Sequence, residues 1–266
     1  KRNQKLKKKN DTEQDFIVNL NLKDTQTLSR LLMPSLKIVK NTSLSGAFTS
    51  RSHTLNLTLR SKDIQVGAIQ FNGLELRNSN FMDAAFTSLK LDEIKYSNIS
   101  ETDTLELGLD NFAINTRMSN DTVFARIGWD DKDDEDHNKA SISTYFHPHA
   151  GGGIFSITKA NIVVNDSLWS VSPNNFIELN GNREEISNLM FSHHDQSIRI
   201  DGYVPMNEGD TIGLQLRNFD ISNFDFFFLT KGFDIDGFIS GDATLSSIKT
   251  APMVLADLQI NQLGVN

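Results

Sequence analysis

The sequence predicts an all-β protein whose strands form an elongated, curled antiparallel sheet with one apolar face. Three observations support this: hydrophobic and polar residues alternate along most of the chain, turn residues separate the alternating runs, and one unit of strands occurs twice. The chain has 266 residues, of which 38% are hydrophobic and 23% are charged. This length suits one large β domain or two small ones, and the composition is that of a folded protein.

Alternation is clearest near the start of the chain, where Phe16, Val18, Leu20 and Leu22 share one side of a predicted strand. Successive side chains of a strand point to opposite faces, so this spacing indicates one dry and one wet face. The same spacing recurs at Leu55, Leu57 and Leu59; Ile69 and Phe71; Leu74 and Leu76; Leu105, Leu107 and Leu109; Phe112 and Ile114; Val123, Ala125, Ile127 and Trp129; Ile142, Thr144 and Phe146; Ile198 and Ile200; and Ile212, Leu214 and Leu216.

Four groups of turn residues lie between these runs. They predict the hairpin connections of a meandering antiparallel sheet. The groups are Asn72-Gly73, Asn78-Ser79-Asn80, Asn180-Gly181-Asn182 and Asp201-Gly202.

Two short amphipathic helices are also predicted. The first spans Asp24 to Lys37, where leucines follow a helical spacing and Pro34 ends or kinks the helix. The second spans Ile221 to Lys231 and carries several phenylalanines on one side.

Both helical segments belong to an internal repeat. In the first copy Leu22-Lys23-Asp24 leads through the helix to Leu44-Ser45-Gly46-Ala47-Phe48, and in the second Leu216-Arg217-Asn218 leads to Ile239-Ser240-Gly241-Asp242-Ala243. The first leucine and the glycine are 24 residues apart in one copy and 25 in the other. Two such copies predict a chain of similar units stacked along one axis.

An apolar sheet face has to be covered or occupied, and alternation does not say how. A closed β-sandwich packs it on a second sheet, a barrel or a β-solenoid closes on itself, and a curled open sheet (a β-taco) leaves a groove for apolar ligands. The chain has 18 phenylalanines but three tyrosines and two tryptophans. Such side chains need no hydrogen-bond partner, which suits an ordinary core and a lipid-lined groove equally.

Charge is distributed unevenly along the chain. The net charge is −8, yet Lys1, Arg2, Lys5, Lys7, Lys8 and Lys9 all lie in the first ten positions. We therefore expect a flexible basic arm over 1–15, followed by a first β portion over 16–165 and a second over 166–266. The acidic remainder opposes a nucleic-acid partner, whereas a basic arm beside a membrane favours anionic lipid.

Cysteine is absent, which excludes disulfides and thiolate chemistry. No apolar run approaches the ~18 residues of a transmembrane helix, and no signal peptide is visible, so we expect any membrane anchor to lie outside this sequence.

Three clusters contain residue types that bind metals or catalyse reactions. His147-Pro148-His149 precedes three glycines without a phosphate-binding signature, which predicts a loop. The adjacent His193 and His194 point to opposite faces and predict an exposed hairpin turn. The acidic run Asp130 to Asp136 lacks the glycine of a calcium loop and predicts a solvated hairpin loop. We therefore expect no catalytic residue, no metal and no cofactor, and a protein that is not an enzyme; a β-helix hydrolase or lyase finds no support in the spacing of acids or histidines.

The second half of the chain resembles a known family through the order of its strands. The matching segments are Trp169-Ser170-Val171, Phe176-Ile177, Ile186 to Phe191, Gln196 to Gly202, Leu214 to Asp220, Asp236 to Leu245 and Ala251 to Leu258. This order resembles the repeat of TamB, the translocation and assembly module of bacterial envelopes, and of its AsmA-like relatives, especially those of Bacteroidetes type. The resemblance runs from about Leu168 to the end, with a weaker echo from Leu22 to Leu59, and it leaves Ile99 to Ile162 unmatched.

The resemblance implies a tapering β-taco groove with an apolar interior. It further implies a periplasmic protein, anchored to the inner membrane in full-length form, that moves phospholipid between the two membranes or assists outer-membrane protein assembly. The family's anchor helix and C-terminal domain have no counterpart here, so we expect an internal fragment of such a protein. The partners implied are phospholipid acyl chains and, through the full-length protein, outer-membrane assembly proteins.

Candidate lipid-groove residues follow from this interpretation. They are the inward positions of the second half: Ile198, Ile200, Ile212, Leu214, Leu216, Ile239, Ala243, Leu245, Val254, Leu258 and Ile260. The alternative function is a secreted β-rich adhesin or glycan-binding module, which predicts exposed aromatic platforms and a closed, dry core.

Overall fold

One sheet accounts for nearly all of the described chain. The computed structural model describes residues 14–22, 36–38, 42–81, 84–99, 104–130, 138–164, 166–181, 183–205, 209–224, 235–247 and 251–265. Their strands form a single 17-stranded antiparallel sheet that is elongated and curled and is not a closed barrel. The predicted all-β, antiparallel fold class is confirmed, because a sandwich needs a second sheet and a solenoid needs parallel coils.

The strands vary from short edge segments to unusually long ones. They are β1 Asp15–Leu22, β2 Leu36–Ile38, β3 Thr42–Thr49, β4 Thr54–Val66, β5 Ile69–Phe81, β6 Ala84–Ile99, β7 Thr104–Ser119, β8 Thr122–Asp130, β9 Lys139–His149, β10 Gly152–Val164, β11 Ser167–Val171, β12 Phe176–Leu179, β13 Glu185–His193, β14 Gln196–Tyr203, β15 Thr211–Asp220, β16 Ile235–Ser246 and β17 Met253–Val265.

The strand order is a meander. β1 pairs with β3, and from β3 to β10 each strand pairs with the next along the chain. β2 and β3 lie end to end beside β4, and β11 and β12 lie end to end between β10 and β13. The meander then continues to β17, and the ladder runs without a break across the predicted division at residue 165.

The gap between β11 and β12 is closed by one side chain. Asn175 is buried, and its amide accepts a hydrogen bond from the Ile157 N–H at 2.9 Å and donates to the Ile157 carbonyl at 2.7 Å. It also donates to the Ser172 carbonyl at 2.8 Å. The asparagine thus supplies the bonds that a strand backbone would otherwise make to β10.

Three of the four predicted turns are wrong. Asn72-Gly73 and Asn78-Ser79-Asn80 lie within β5, and Asp201-Gly202 lies within β14, whereas Asn180 and Gly181 do connect β12 to β13. Gly73 and Gly202 have φ values of 63° and 121°. Positive φ, which favours glycine in turns, here marks irregular positions inside long strands.

The predicted helices overlap only partly with the described residues. Leu36 and Lys37, at the end of the first, belong to β2, because they follow Pro34 and pair with Val66 and Gln65; residues 24–35 lie outside the described chain. The second begins as a 3-10 helix, Ile221–Phe224, and residues 225–231 lie outside the described chain.

Both copies of the repeat form an antiparallel strand pair, but with different registers. Gly46 lies opposite Val18 in the first copy, whereas Gly241 lies opposite Leu216 in the second. The copies therefore share the antiparallel pair and differ in how far the returning strand has moved along its partner.

Gly241 is the position in this repeat that tolerates a side chain least. Its φ is 143°, and a Cβ atom there would lie 2.1 Å from the Asp257 carbonyl oxygen of β17. We expect Gly241→Ala to lower the free energy of unfolding by about 1 to 3 kcal/mol, measured by urea denaturation. Gly213→Ala in neighbouring β15 is the control, since its Cβ would lie 3.5 Å from the nearest atom; equal losses from both variants would contradict the strain at Gly241.

The sheet has little conventional core. Among the described residues, the buried hydrophobic side chains are Leu91, Ala140, Ala160, Trp169, Leu189, Pro205, Phe219 and Ile221. Many large hydrophobic side chains of the described residues are exposed instead, among them Phe16, Leu20, Val254 and Ile260. Most apolar side chains therefore lie on a face that no second layer of described residues covers.

Candidate functional site: an apolar face across the sheet

A continuous row of apolar residues crosses the sheet from β1 to β17. Directly paired residues of neighbouring strands lie on the same face, so the row follows from the register. It runs through Leu20, Leu44, Leu59, Leu76, Leu89, Ile114, Ile127, Ile142 and Ala160. Asn161 pairs with Ser170 in antiparallel register, so Ala160, the residue before Asn161, lies opposite Val171. Val171 therefore continues the row. The row then passes through Phe191, Ile198, Leu216, Gly241 and Leu258.

All eleven candidate groove residues lie on the same face as this apolar row. Ile200, Leu214 and Ala243 form a parallel row beside it. Ile212, Leu245 and Val254 form the next, and Ile239 pairs with Ile260. The register thus brings the candidates together as one continuous surface.

We infer from side-chain burial that this apolar face lies on the inside of the curl. Most of its leucines and isoleucines on interior strands are half-buried although no second sheet of described residues covers them, whereas Arg60, Arg117 and Phe124 on the opposite face are exposed. Curvature brings side chains of the inner face together and spreads those of the outer face. The result is a groove whose walls are the sheet itself.

Exposure of the apolar face is greatest at its two ends. Leu20 on β1 and Leu258 on β17 are 46% and 43% exposed, and both belong to the apolar row. The described part of the chain therefore leaves the groove open along both edge strands.

An aromatic cluster lies on the apolar face in the second half of the sheet. Trp169 of β11 is buried, with its ring 5.8 Å from that of Phe219 on β15 and 5.8 Å from that of His193 on β13. A bulge between Leu216 and Phe219 returns Phe219 to the apolar face. Sequence alternation missed Phe219, because it lies three residues after Leu216 and not two.

His193 corrects one expectation. His194 lies in the predicted hairpin turn, but His193 ends β13 and is half-buried against Trp169. The Leu168 carbonyl oxygen accepts a hydrogen bond from His193 Nδ1 at 2.9 Å. Because the imidazole packs beside the indole ring, this side chain is half-buried.

The groove has a defined border within β5 and β7. Strand pairing skips Gly73 and Asn111, whose φ values are 63° and 48°. The hydrophobic phase of the sequence changes at the same two positions. Beyond them a polar row of directly paired residues comprises Asp63, Asn72, Glu93 and Asp110, and the adjacent apolar row comprises Ile38, Ile64, Phe71, Ile94 and Leu109.

The opposite face of the sheet is polar and carries ion pairs. Glu75 Oε1 lies 2.7 Å from Arg60 Nε and 2.8 Å from Arg77. Hydrogen bonds from Arg77 and then Arg60 hold the pKa of Glu75 below its usual value of 4.5. On the second half of this face, the side chain of Asp201 accepts a hydrogen bond from Arg199 and raises the pKa of that guanidinium.

The lowered pKa of Glu75 predicts a pH dependence of stability. An ionised Glu75 stabilises the fold at neutral pH, and this contribution is lost as pH falls below about 4.5 toward the lowered value. We expect Glu75→Gln to be less stable than the parent at pH 7, with the difference disappearing in acid, measured by urea denaturation at both pH values. In an Arg77→Gln background the pH dependence should shrink; an unchanged dependence would contradict the assignment to Arg77.

The remaining clusters do not converge on one centre. His147 and His149 lie in β9 and not in the predicted loop, because Ala150 and Gly151 form the turn. His147 Nδ1 lies 2.9 Å from Thr122 Oγ1. His149 Nε2 lies 3.8 Å from Glu178. Of the acidic run, Asp130 ends β8, and residues 131–136 lie outside the described chain. Within the described residues no three histidine or acidic side chains form a metal-binding group.

The same described ranges contain no helix long and apolar enough to span a membrane.

Comparison with known proteins gave no relative: no protein-family model, no curated protein and no solved structure matches the chain.

Proposed function

We propose that the chain is a non-catalytic, TamB-like periplasmic segment whose apolar face holds phospholipid acyl chains during transfer between inner and outer membranes. The observation that carries this proposal is the apolar row, which crosses the sheet without a polar member. An acyl chain lying along part of this row contacts apolar side chains on each strand that it crosses, and it can move from strand to strand along the row. Head groups remain in solvent at the groove opening, and no bond is made or broken.

The energetics suit a lipid that is held and then released. Each methylene removed from water contributes about 0.8 kcal/mol. Because binding also costs the lipid its translational and rotational freedom, several methylenes must be covered before a tail prefers the groove to water. The half-buried inner face offers that cover over many strands. A groove without a closed end also lets the tail pass to the next position along the row.

An adhesin or glycan-binding module is the alternative, and it requires exposed aromatic platforms together with a closed, dry core. The exposed Phe86 and Phe124 of the opposite face meet the first requirement. A single open sheet with few buried side chains favours the groove. A role in outer-membrane protein assembly uses the same groove or its edge strands and belongs to the same proposal.

The proposal is tested by lipid recovery. The purified chain is extracted with organic solvent and the extract analysed by mass spectrometry, and the chain is separately titrated with a phospholipid carrying a fluorophore at the end of one acyl chain. We expect recovered phospholipid in proportion to protein and a saturable fluorescence increase. Absence of both would overturn the proposal.

A further inference from the structure

The outer face of the sheet carries a cluster of positively charged side chains, although the chain as a whole is acidic. Three neighbouring rows on the polar face, between β4 and β10, hold six cationic side chains and one carboxylate, Glu75. We call this surface the basic patch; its cations are Arg60, Arg77, Lys90, Arg117, Arg126 and Lys159. The net charge of the whole chain is −8.

The basic patch lies on the face opposite the groove. Arg60, Arg77 and Lys90 each follow a member of the apolar row along the chain, and successive side chains of a strand point to opposite faces. Within the described ranges Arg117, Arg126 and Lys159 have no ion-pair partner. Their charge is therefore available to an external anion.

Two exposed phenylalanines lie within the same surface. One row runs Phe86, Arg117, Phe124, Tyr145 by direct pairing across β6 to β9. Phe86 and Phe124 are 47% and 50% exposed. With Arg117 and Arg126 they line a shallow depression of 450 Å³. Exposed aromatic rings between cations are typical of proteins that lie on a membrane interface.

The dimensions of the patch suit an extended partner. At about 4.8 Å between strands, β4 to β10 span roughly 29 Å, and three rows on one face span roughly 14 Å along the strands. A small anion would use one or two of the six cations. A lipid surface can engage all of them at once, and the rings can enter its headgroup region.

We propose that the basic patch docks the outer face of the sheet onto an anionic phospholipid membrane, with Phe86 and Phe124 inserting between head groups. The partner is the membrane surface, and its recognised chemistry is the phosphodiester. The inference does not rest on the lipid groove, because it uses the opposite face and different side chains. A duplex nucleic acid would offer phosphates too, but gains nothing from the inserted rings and faces the acidic remainder of the chain.

Vesicle sedimentation with the full chain tests this docking. Vesicles of phosphatidylcholine with about one third phosphatidylglycerol should bind the protein, and pure phosphatidylcholine vesicles should bind it far less. At about 1 kcal/mol per cation, Arg117→Gln with Arg126→Gln should lower the partition coefficient roughly thirtyfold. Phe86→Ser with Phe124→Ser should lower it at unchanged charge.

A matched control removes two charges elsewhere, by Lys37→Gln with Arg217→Gln, and retains the basic N-terminal arm. Equal losses from the patch and control variants would overturn the proposal, as would equal binding to both kinds of vesicle. Tighter binding to duplex DNA than to vesicles, unaffected by the phenylalanine variants, would assign the surface to a soluble polyanion instead. Lipid uptake by the groove is read separately as lipid left in the supernatant, so failure of one proposal does not imply failure of the other.

Discussion

Replacing Trp169 by alanine is expected to lower the free energy of unfolding by about 3 to 5 kcal/mol. The indole is 6% exposed and packs on Phe219, which is 3% exposed, so its removal leaves a cavity in one of the few buried clusters of the sheet. A protein with little core elsewhere has few contacts that compensate for this loss. Urea denaturation followed by circular dichroism at 25 °C measures the effect.

Phe124→Ala is the matched control for this prediction. Phe124 is also an aromatic residue on a strand, but it lies half-exposed on the polar face, and its loss should change stability by no more than about 0.5 kcal/mol. Similar losses from both variants would show that burial on the apolar face does not set the stability of the sheet.

A lysine in place of Leu214 is expected to reduce lipid binding by at least about tenfold. Leu214 lies between Ile200 and Ala243 in a row of the apolar face. A tail in contact with an unpaired ammonium group leaves that charge desolvated, which costs more than the roughly 1.4 kcal/mol equivalent to a tenfold change. Leu245→Lys, one row away, should act in the same way. Titration with the acyl-labelled phospholipid measures both.

Gln215→Lys tests whether the loss of lipid binding depends on the apolar face or on any substitution in strand β15. Gln215 is the next residue of β15, points to the polar face and donates a hydrogen bond to Asp242 at 3.0 Å, a position where a lysine is well placed. We expect lipid binding by this variant to equal that of the parent. A loss as large as that of Leu214→Lys would contradict a groove confined to one face.

Alternation predicted well which residues share the apolar face, because it is a local property of each strand. Ile198, Leu214 and Leu245 alternate with polar residues over short distances, and no knowledge of their partners was needed to assign them to one side. The register then adds what the sequence does not contain, namely that the separate runs join into one row through Gly241, the single position in that row without a side chain.

Other features depend on irregular backbone or on distant pairing. Gly73 was interpreted as a turn because positive φ occurs both in turns and inside interrupted strands, and only pairing distinguishes the two. Phe219 was missed because a bulge shifts its phase. The basic patch was missed because Arg60, Lys90 and Arg126 lie far apart in sequence and become neighbours only when β4 to β8 align.

Photocrosslinking tests the central claim most directly. The purified chain is loaded with a phospholipid that carries a diazirine within one acyl chain, irradiated, digested and mapped by mass spectrometry. The account predicts labels on residues of the apolar face from both halves of the sheet, including Leu76, Ile127 and Leu214, and none on Arg77, Arg126 or Gln215 beside them. Labels spread equally over both faces, or confined to the two edge strands, would contradict it.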